Sequence, residues 1–195
     1  FKKQNMSLKN SSVKTRIPKS LKNKLKNKKI KEIYERFEKT FNFNNNFAVA
    51  VSGGPDSLAL AFLAKVYSIK KKFSPKFFIV DHKLRPESTL EAINVKKMLR
   101  KFNIFSEILT WEGKKPSKNI QSISRNKRYE LLFNRCDKHK IKYILLGHHL
   151  DDLFENFFIR MLRGSGLKGL VSLDKKSKSG SKYLIRPLLN EKKED

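Results

Sequence analysis

The residues best suited to chemistry begin with Ser52-Gly53-Gly54-Pro55-Asp56-Ser57, set between an apolar run and a helical pattern. Two glycines let the backbone turn tightly and point N–H groups at a ligand, and the helix N-terminus that follows favours an anion. Ser52 and Ser57 add hydroxyl donors for phosphate oxygens, and Pro55 suits a first helical turn, where its missing N–H is no loss. A carboxylate at Asp56 would repel phosphates unless a divalent cation lay between them, which makes Asp56 a candidate Mg²⁺ ligand. A plain strand-to-helix turn with Asp56 and Ser57 as caps is the other reading of the same six residues.

Further polar groups recur along the chain. Asp81-His82 and Gly147-His148-His149 each follow an apolar run, and Asp151, Asp152 and Glu155 come directly after the second. Acids at a helix start complement its dipole. Three of them in so basic a chain also suit Mg²⁺ or a cationic amine, and Glu155 shares a helix face with Asp151. His148 and His149 are site groups or strand-end packing residues; with one cysteine and four histidines, no zinc site is expected. Arg125 and Arg128 lie three apart on one helix face, which is either solvated or aimed at a phosphate. Arg160, Arg163 and Lys168 flank a glycine-rich stretch that reads as a phosphate- or RNA-contacting turn.

Positioning these groups requires alternating elements. Strands are expected at Phe47–Val51, Phe77–Val80, Ile104–Leu109, Tyr143–Leu146 and Tyr183–Ile185. Helices are expected from Asp56 to Ile69, Ser88 to Lys101, Ile120 to His139 and Asp151 to Arg163. Ser88 with Glu91 three residues on has the pattern of a capping box. Such alternation predicts an α/β fold: a doubly wound, mostly parallel sheet with helices on both faces. Ligands of these sheets bind at the carboxyl ends of the strands, where Ser52-Gly53-Gly54, Asp81-His82 and Gly147-His148-His149 all fall.

Composition agrees with this reading. The 195 residues carry 45 Lys+Arg against 18 Asp+Glu, a formal +27, so a polyanion such as nucleic acid is the expected partner. No apolar run reaches the ~18 residues of a membrane span, and a single cysteine excludes a disulfide scaffold. Residues 1–45 read as a basic, partly helical N-terminal extension, solvated around Lys22, Lys24, Lys26, Lys28 and Lys29. Residues 46–190 read as the catalytic domain and 191–195 as a tail. Without a secretory signal the default location is cytoplasmic. No protein partner is identifiable.

The hexapeptide resembles the SGGxDS loop of the ATP-pyrophosphatase, or PP-loop, superfamily rather than a Walker A loop. Val80-Asp81-His82-Lys83-Leu84-Arg85-Pro86-Glu87-Ser88 resembles the VDHGLRxxS segment of the tRNA(Ile)-lysidine synthase family. Arg125–Tyr129, Gly147–Glu155, Arg160–Leu170 and Arg186-Pro187-Leu188-Leu189 are similar to its RxxRY, GHHxDDQxET, RxxRGSGxxGL and RPLL elements. The resemblance spans roughly residues 47–189. It implies ATP-dependent ligation of free L-lysine to C2 of the wobble cytidine of tRNA(Ile), through an adenylated tRNA, with ATP and Mg²⁺ as cofactors. It places Asp56, Asp152, Arg125 and Arg128 in catalysis, and Ser52–Ser57, Asp81 and His82 at the nucleotide. His148, His149, Asp151, Glu155, Arg160, Arg163 and Lys168 then face substrate. Lys83, Leu153 and Asn156 depart from the pattern, and Lys83 argues against a tight left-handed turn where the family has glycine. The alternatives are tRNA thiolation and a non-catalytic RNA-binding fragment.

Overall fold

The computed structural model describes residues 18–41, 45–149 and 174–191. Six strands form one sheet in the order β3-β2-β1-β4-β6-β5. They are β1 (Phe47–Val51), β2 (Lys76–Asp81), β3 (Ser106–Thr110), β4 (Tyr143–Leu145), β5 (Lys176–Ser179) and β6 (Lys182–Ile185). Five run parallel, and β5 pairs antiparallel with β6 at the edge. The chain leaves β1 towards β2 and β3, then crosses back to place β4 on the other side of β1. The switch point of the sheet therefore lies between the carboxyl ends of β1 and β4.

Alternation of side chains builds two cores, one on each face. Phe47, Val49 and Val51 of β1 join Phe77 and Ile79 of β2 and Leu145 of β4 on one face, under α3 (Pro55–Lys71) and α4 (Ser88–Arg100). Ala48, Phe78, Ile144 and Leu184 point to the other, under α5 (Ile120–Lys138) with its Leu132 and Cys136. Central strands buried on both faces explain the near-continuous apolar runs. The expected doubly wound architecture is the observed one.

Four expectations need correction. Lys22, Lys24, Lys26, Lys28 and Lys29 are exposed as expected, but the segment that carries them also packs against the domain. Short α1 (Lys19–Lys24) buries Leu21, and α2 (Lys28–Thr40), capped by Asn27, buries Tyr34 and Phe37 beside Phe41. The Phe37 and Phe41 rings meet Phe47 of β1 and Tyr67 of α3 at centroid separations of 5.0–6.0 Å. Each such burial contributes about 2 kcal/mol, so a boundary at 45/46 divides a single core. Secondly, β5 went unseen: Lys-Ser-Lys-Ser has no apolar residue, and backbone pairing with β6 alone makes it a strand. Thirdly, β3 begins at Ser106, with Ile104 buried just before it. Finally, the capping box at Ser88 does not form. Glu87 occupies the cap with helical dihedrals, the Ser88 hydroxyl donates to the Arg85 carbonyl (2.9 Å), and Glu91 takes the Arg85 guanidinium instead. The expected helix at 151–163 lies outside the described residues.

Candidate active site

Four parallel strands deliver their carboxyl ends to one crevice. After β1, residues 52–54 turn around the Ser57 side chain, which α3 supplies from its first turn. Its Oγ accepts the N–H groups of Ser52 (3.2 Å) and Gly53 (3.1 Å) and donates to the Gly54 carbonyl (2.9 Å). Ser57 therefore organises the loop from within, rather than offering its hydroxyl outward as expected. Pro55 holds the first helical position, and the N–H groups of Asp56 and Ser57 have no intrahelical acceptor. They make an anion-binding helix start. Gly53 has φ +94° and faces Val95 of α4 so closely that a Cβ there would lie 2.6 Å from its Cγ2.

Asp81, at the end of β2, is only 2 % exposed, with both carboxylate oxygens engaged. Oδ1 accepts the Lys83 N–H (2.9 Å) and Oδ2 the Thr89 hydroxyl (2.7 Å), tying the loop and the start of α4 to the strand. Asp81 is thus an anchor for the loop beside the crevice. Burial alone would raise its pKa, but hydrogen bonds from Thr89, Lys83 and Ser88 and the Lys83 charge outweigh it and hold the carboxyl below its ordinary value. A depressed folded pKa gives stabilisation that is complete above the unfolded pKa and is lost as pH falls through the folded one. Asp81→Asn should therefore flatten the stability curve below about pH 4. Urea midpoints at successive pH values read this, and an unchanged curve would remove the Asp81 charge from the account.

Lys83 takes φ +49°, the left-handed turn that its side chain argued against. The Asp81 carboxylate gripping its N–H holds it there. Its amine pairs with Glu112 (3.1 Å) in solvent, a contact of small worth. Lys83→Gly should be neutral or stabilising by up to about 1 kcal/mol, because relief of left-handed strain offsets the added freedom of the unfolded chain. A clear drop in the urea midpoint would contradict this.

His82 sits between Arg128 and Trp111. Arg128 Nε donates to its Nε2 (3.3 Å), and the Trp111 ring meets it edge-on at 6.2 Å. A guanidinium has no acceptor, so the imidazole proton resides on Nδ1, which is buried without a partner among the described residues. Burial, then the Arg128 charge and that of Lys115, lower the His82 pKa, so it is neutral at pH 7. Lys115 lies 4.3 Å from the Trp111 ring centroid and donates to its carbonyl.

Beyond β4, Gly147 passes so near α3 that a Cβ would lie 2.9 Å from the Ser57 backbone. This contact brings His149 Nε2 to 3.4 Å from Asp56 Oδ2. His148 Nδ1 accepts from Arg186 Nε (3.1 Å), at the end of β6. Arg125 stacks over Tyr129 (5.5 Å) on the same helix as Arg128. Ser52, Ser57, Asp81, His82, Arg85, Arg128, Gly147 and His148 line a cavity of about 310 Å³ over the switch point.

The structure thus brings Ser52, Ser57, Asp81, His82, Arg128 and His148 to one crevice, with His149 against Asp56 in the first turn of α3 and Arg125 on α5 outside the cavity lining. Asp151, Asp152, Glu155, Arg160, Arg163 and Lys168 lie outside the described residues. Sequence reasoning gave no role to Arg186, Thr89 or Trp111. The position of Arg186 directly after an apolar strand was the available signal. Among the described residues no group of three His, Cys, Asp or Glu side chains could hold a metal. Asp56 still fits Mg²⁺, which needs few protein carboxylates when phosphates complete its shell.

A parallel sheet with a glycine turn at the switch point defines a nucleotide-binding α/β protein. The chain belongs to the PP-loop family, whose domain description matches residues 22–195, and a PP-loop implies an ATP-binding site. It is 44% identical over 155 residues to tRNA(Ile)-lysidine synthase of Orientia tsutsugamushi (strain Boryong), a match covering 80% of this chain and 35% of that protein. It is 44% identical over 150 residues to the protein of the same name from Wolbachia pipientis wMel, covering 76% of this chain and 35% of the relative. The chain therefore spans about a third of the length of these curated relatives. Among solved structures, the U34-tRNA thiolase NcsA of Methanococcus maripaludis, which carries a 4Fe-4S cluster, has a TM-score of 0.69. Its identity is 23%, covering 85% of this chain and 60% of that one, which shows the shared fold. No described helix is long and apolar enough to cross a membrane.

Proposed function

We propose that this chain is the catalytic part of a lysidine-forming ligase, joining free L-lysine to C2 of the wobble cytidine of tRNA(Ile) at the expense of ATP, in the cytoplasm. The observation that carries the reading is the 44% identity to lysidine synthases, supported by a crevice lined with residues of the described motifs. In the first step the cytidine O2 attacks the α-phosphate of ATP, forming an O–P bond as the bond to pyrophosphate breaks. In the second the lysine amine attacks C2, and the C2–O bond breaks to release AMP.

Within this reading the residues divide the work. The Asp56 and Ser57 N–H groups donate to phosphate oxygens, and Arg125 and Arg128 offset charge developing at the α-phosphate. Each such interaction is worth about 3 kcal/mol in a closed site. Mg²⁺, held by Asp56 and the triphosphate, would neutralise the departing pyrophosphate. Asp151, Asp152 and Glu155 orient the lysine, whose attacking amine must be unprotonated. The catalytic unit we propose is residues 46–190 together with α1 and α2, with 191–195 as a tail.

Thiolation is the weaker reading. The chain's single thiol, Cys136, lies on the buried face of α5, and burial pushes its pKa up to about 12, so it stays protonated and inert.

The deciding experiment incubates the chain with ATP, Mg²⁺, labelled lysine and tRNA(Ile), then identifies the nucleosides by mass spectrometry. Lysidine with tRNA-dependent pyrophosphate release is expected. A sulfur-bearing nucleoside, or RNA binding with no pyrophosphate release, would overturn the proposal. Binding should also weaken steeply with salt, log K falling by about 0.7–0.9 per neutralised phosphate for each unit of log salt. Removing residues 1–17, with their five Lys and Arg, should make that slope shallower. An unchanged slope would place this segment away from RNA.

A further inference from the structure

Two imidazoles at the crevice, those of His82 and His148, are each held by an arginine, but through opposite nitrogens. Arg128 binds His82 at Nε2, whereas Arg186 binds His148 at Nδ1. Arg186 is 3 % exposed and held on further sides, its NH1 donating to the Asp174 carbonyl (2.8 Å) and the Ser177 hydroxyl (3.0 Å). Both acceptors belong to β5 or the residues just before it, so the polar edge hairpin fixes the guanidinium. Because a guanidinium only donates, His148 Nδ1 must present a lone pair and the ring proton must sit on Nε2. Protonating Nδ1 would break this bond and set two cations 3.1 Å apart.

We propose that Arg186 is a positioning residue that fixes His148 as the neutral Nε2–H form, making His148 a hydrogen-bond donor to a phosphate or adenylate oxygen in the crevice rather than a general base. The role rests on the adenylation reading above. It differs from a charge contact between Arg186 and the nucleotide, since the guanidinium points its Nε–H at the ring and its NH1 at β5. Ordering a site histidine through the nitrogen that does not face the ligand is a general device for aiming the other one.

Two measurements test this, and the first needs no substrate. In the chain labelled with ¹⁵N-histidine at pH 7, the signals lost in His148→Asn assign residue 148. A protonated Nε2 and an unprotonated Nδ1 are expected. An imidazolium or an Nδ1–H ring overturns the proposal, whatever the chain's activity proves to be. The second is a double-mutant cycle on tRNA-dependent pyrophosphate release. Arg186→Met should lower kcat about 10- to 100-fold with little change in the ATP KM. His148→Gln, whose amide mimics an Nε2 donor, should lose less than His148→Asn, which mimics Nδ1. In the His148→Gln background Arg186→Met should cost little more, since no ring proton remains to be placed. Equal losses in both backgrounds would make Arg186 merely structural and overturn the proposal. Should Arg186→Met not fold, the wild-type spectrum still decides.

Discussion

Asp56→Ala should abolish tRNA-dependent pyrophosphate release, by about 1000-fold, while the chain remains folded. The carboxylate sits in the first turn of α3, beside two N–H groups without intrahelical acceptors and 3.4 Å from His149. Its helix-dipole contribution to stability is about 1 kcal/mol at most, so a collapse of the fold is not expected. The effect discriminates between two readings because they differ in sign. If Asp56 only capped the helix, removing a negative charge beside the triphosphate would tighten ATP binding and leave release intact. If it bridges through Mg²⁺, ATP turnover and its Mg²⁺ dependence are both lost. Near-normal release from the folded variant would falsify the metal role.

The parts of this fold that sequence made legible are those with a period. Phe47, Val49 and Val51 against Ala48, or Phe77 and Ile79 against Phe78, alternate between the two faces as a buried strand must. Polar residues clustered after each run, so the edge carrying the site could be inferred before its geometry. What stayed hidden depended on partners distant in the chain. Ile30, Ile33, Tyr34 and Phe37 fall at helical spacing, but nothing local indicates that Tyr67 and Phe47 cover the stripe they form. Arg186 reaches His148 across 38 positions, a contact that only the adjacency of β4 and β6 creates. Ser57 was read as a donor for phosphate because its hydroxyl could serve either side of the loop. The closure of residues 52–54 around it decides for the inner one.

Gly147→Ala should be among the most damaging single-methyl changes in the chain. The added Cβ would meet the Cα and N of Ser57 at 2.9 Å and the carbonyl carbon of Asp56 at 3.1 Å, all backbone atoms that no rotamer can move. The loop after β4 and the start of α3 must then separate, at a cost of about 1–3 kcal/mol. A chain of this length should lose roughly 2–4 °C of Tm per kcal/mol. The same displacement moves His149 off Asp56 and shifts the donors around the phosphate site. A misplacement of about 1 Å suffices for a 100-fold loss of turnover. Gly54→Ala supplies the control for stability, since its Cβ would meet nothing nearer than the Ser52 hydroxyl at 3.8 Å. Equal melting temperatures for the two variants would show that the approach of Gly147 to α3 is looser than the structure has it.

The contact between His82 and Trp111 has an optical consequence. Trp111 is the chain's single tryptophan, 6 % exposed, with an imidazole at its edge and the Lys115 ammonium over its face. Indole emission responds to nearby charge and to quenching by neighbouring groups, and one of its neighbours here, His82, lines the crevice. Intrinsic fluorescence therefore comes from one place in the molecule, one residue pair away from Arg128. The protein carries a native dye beside its candidate nucleotide site, and a nucleotide that displaces Arg128 or Lys115 can be followed by its light without any label.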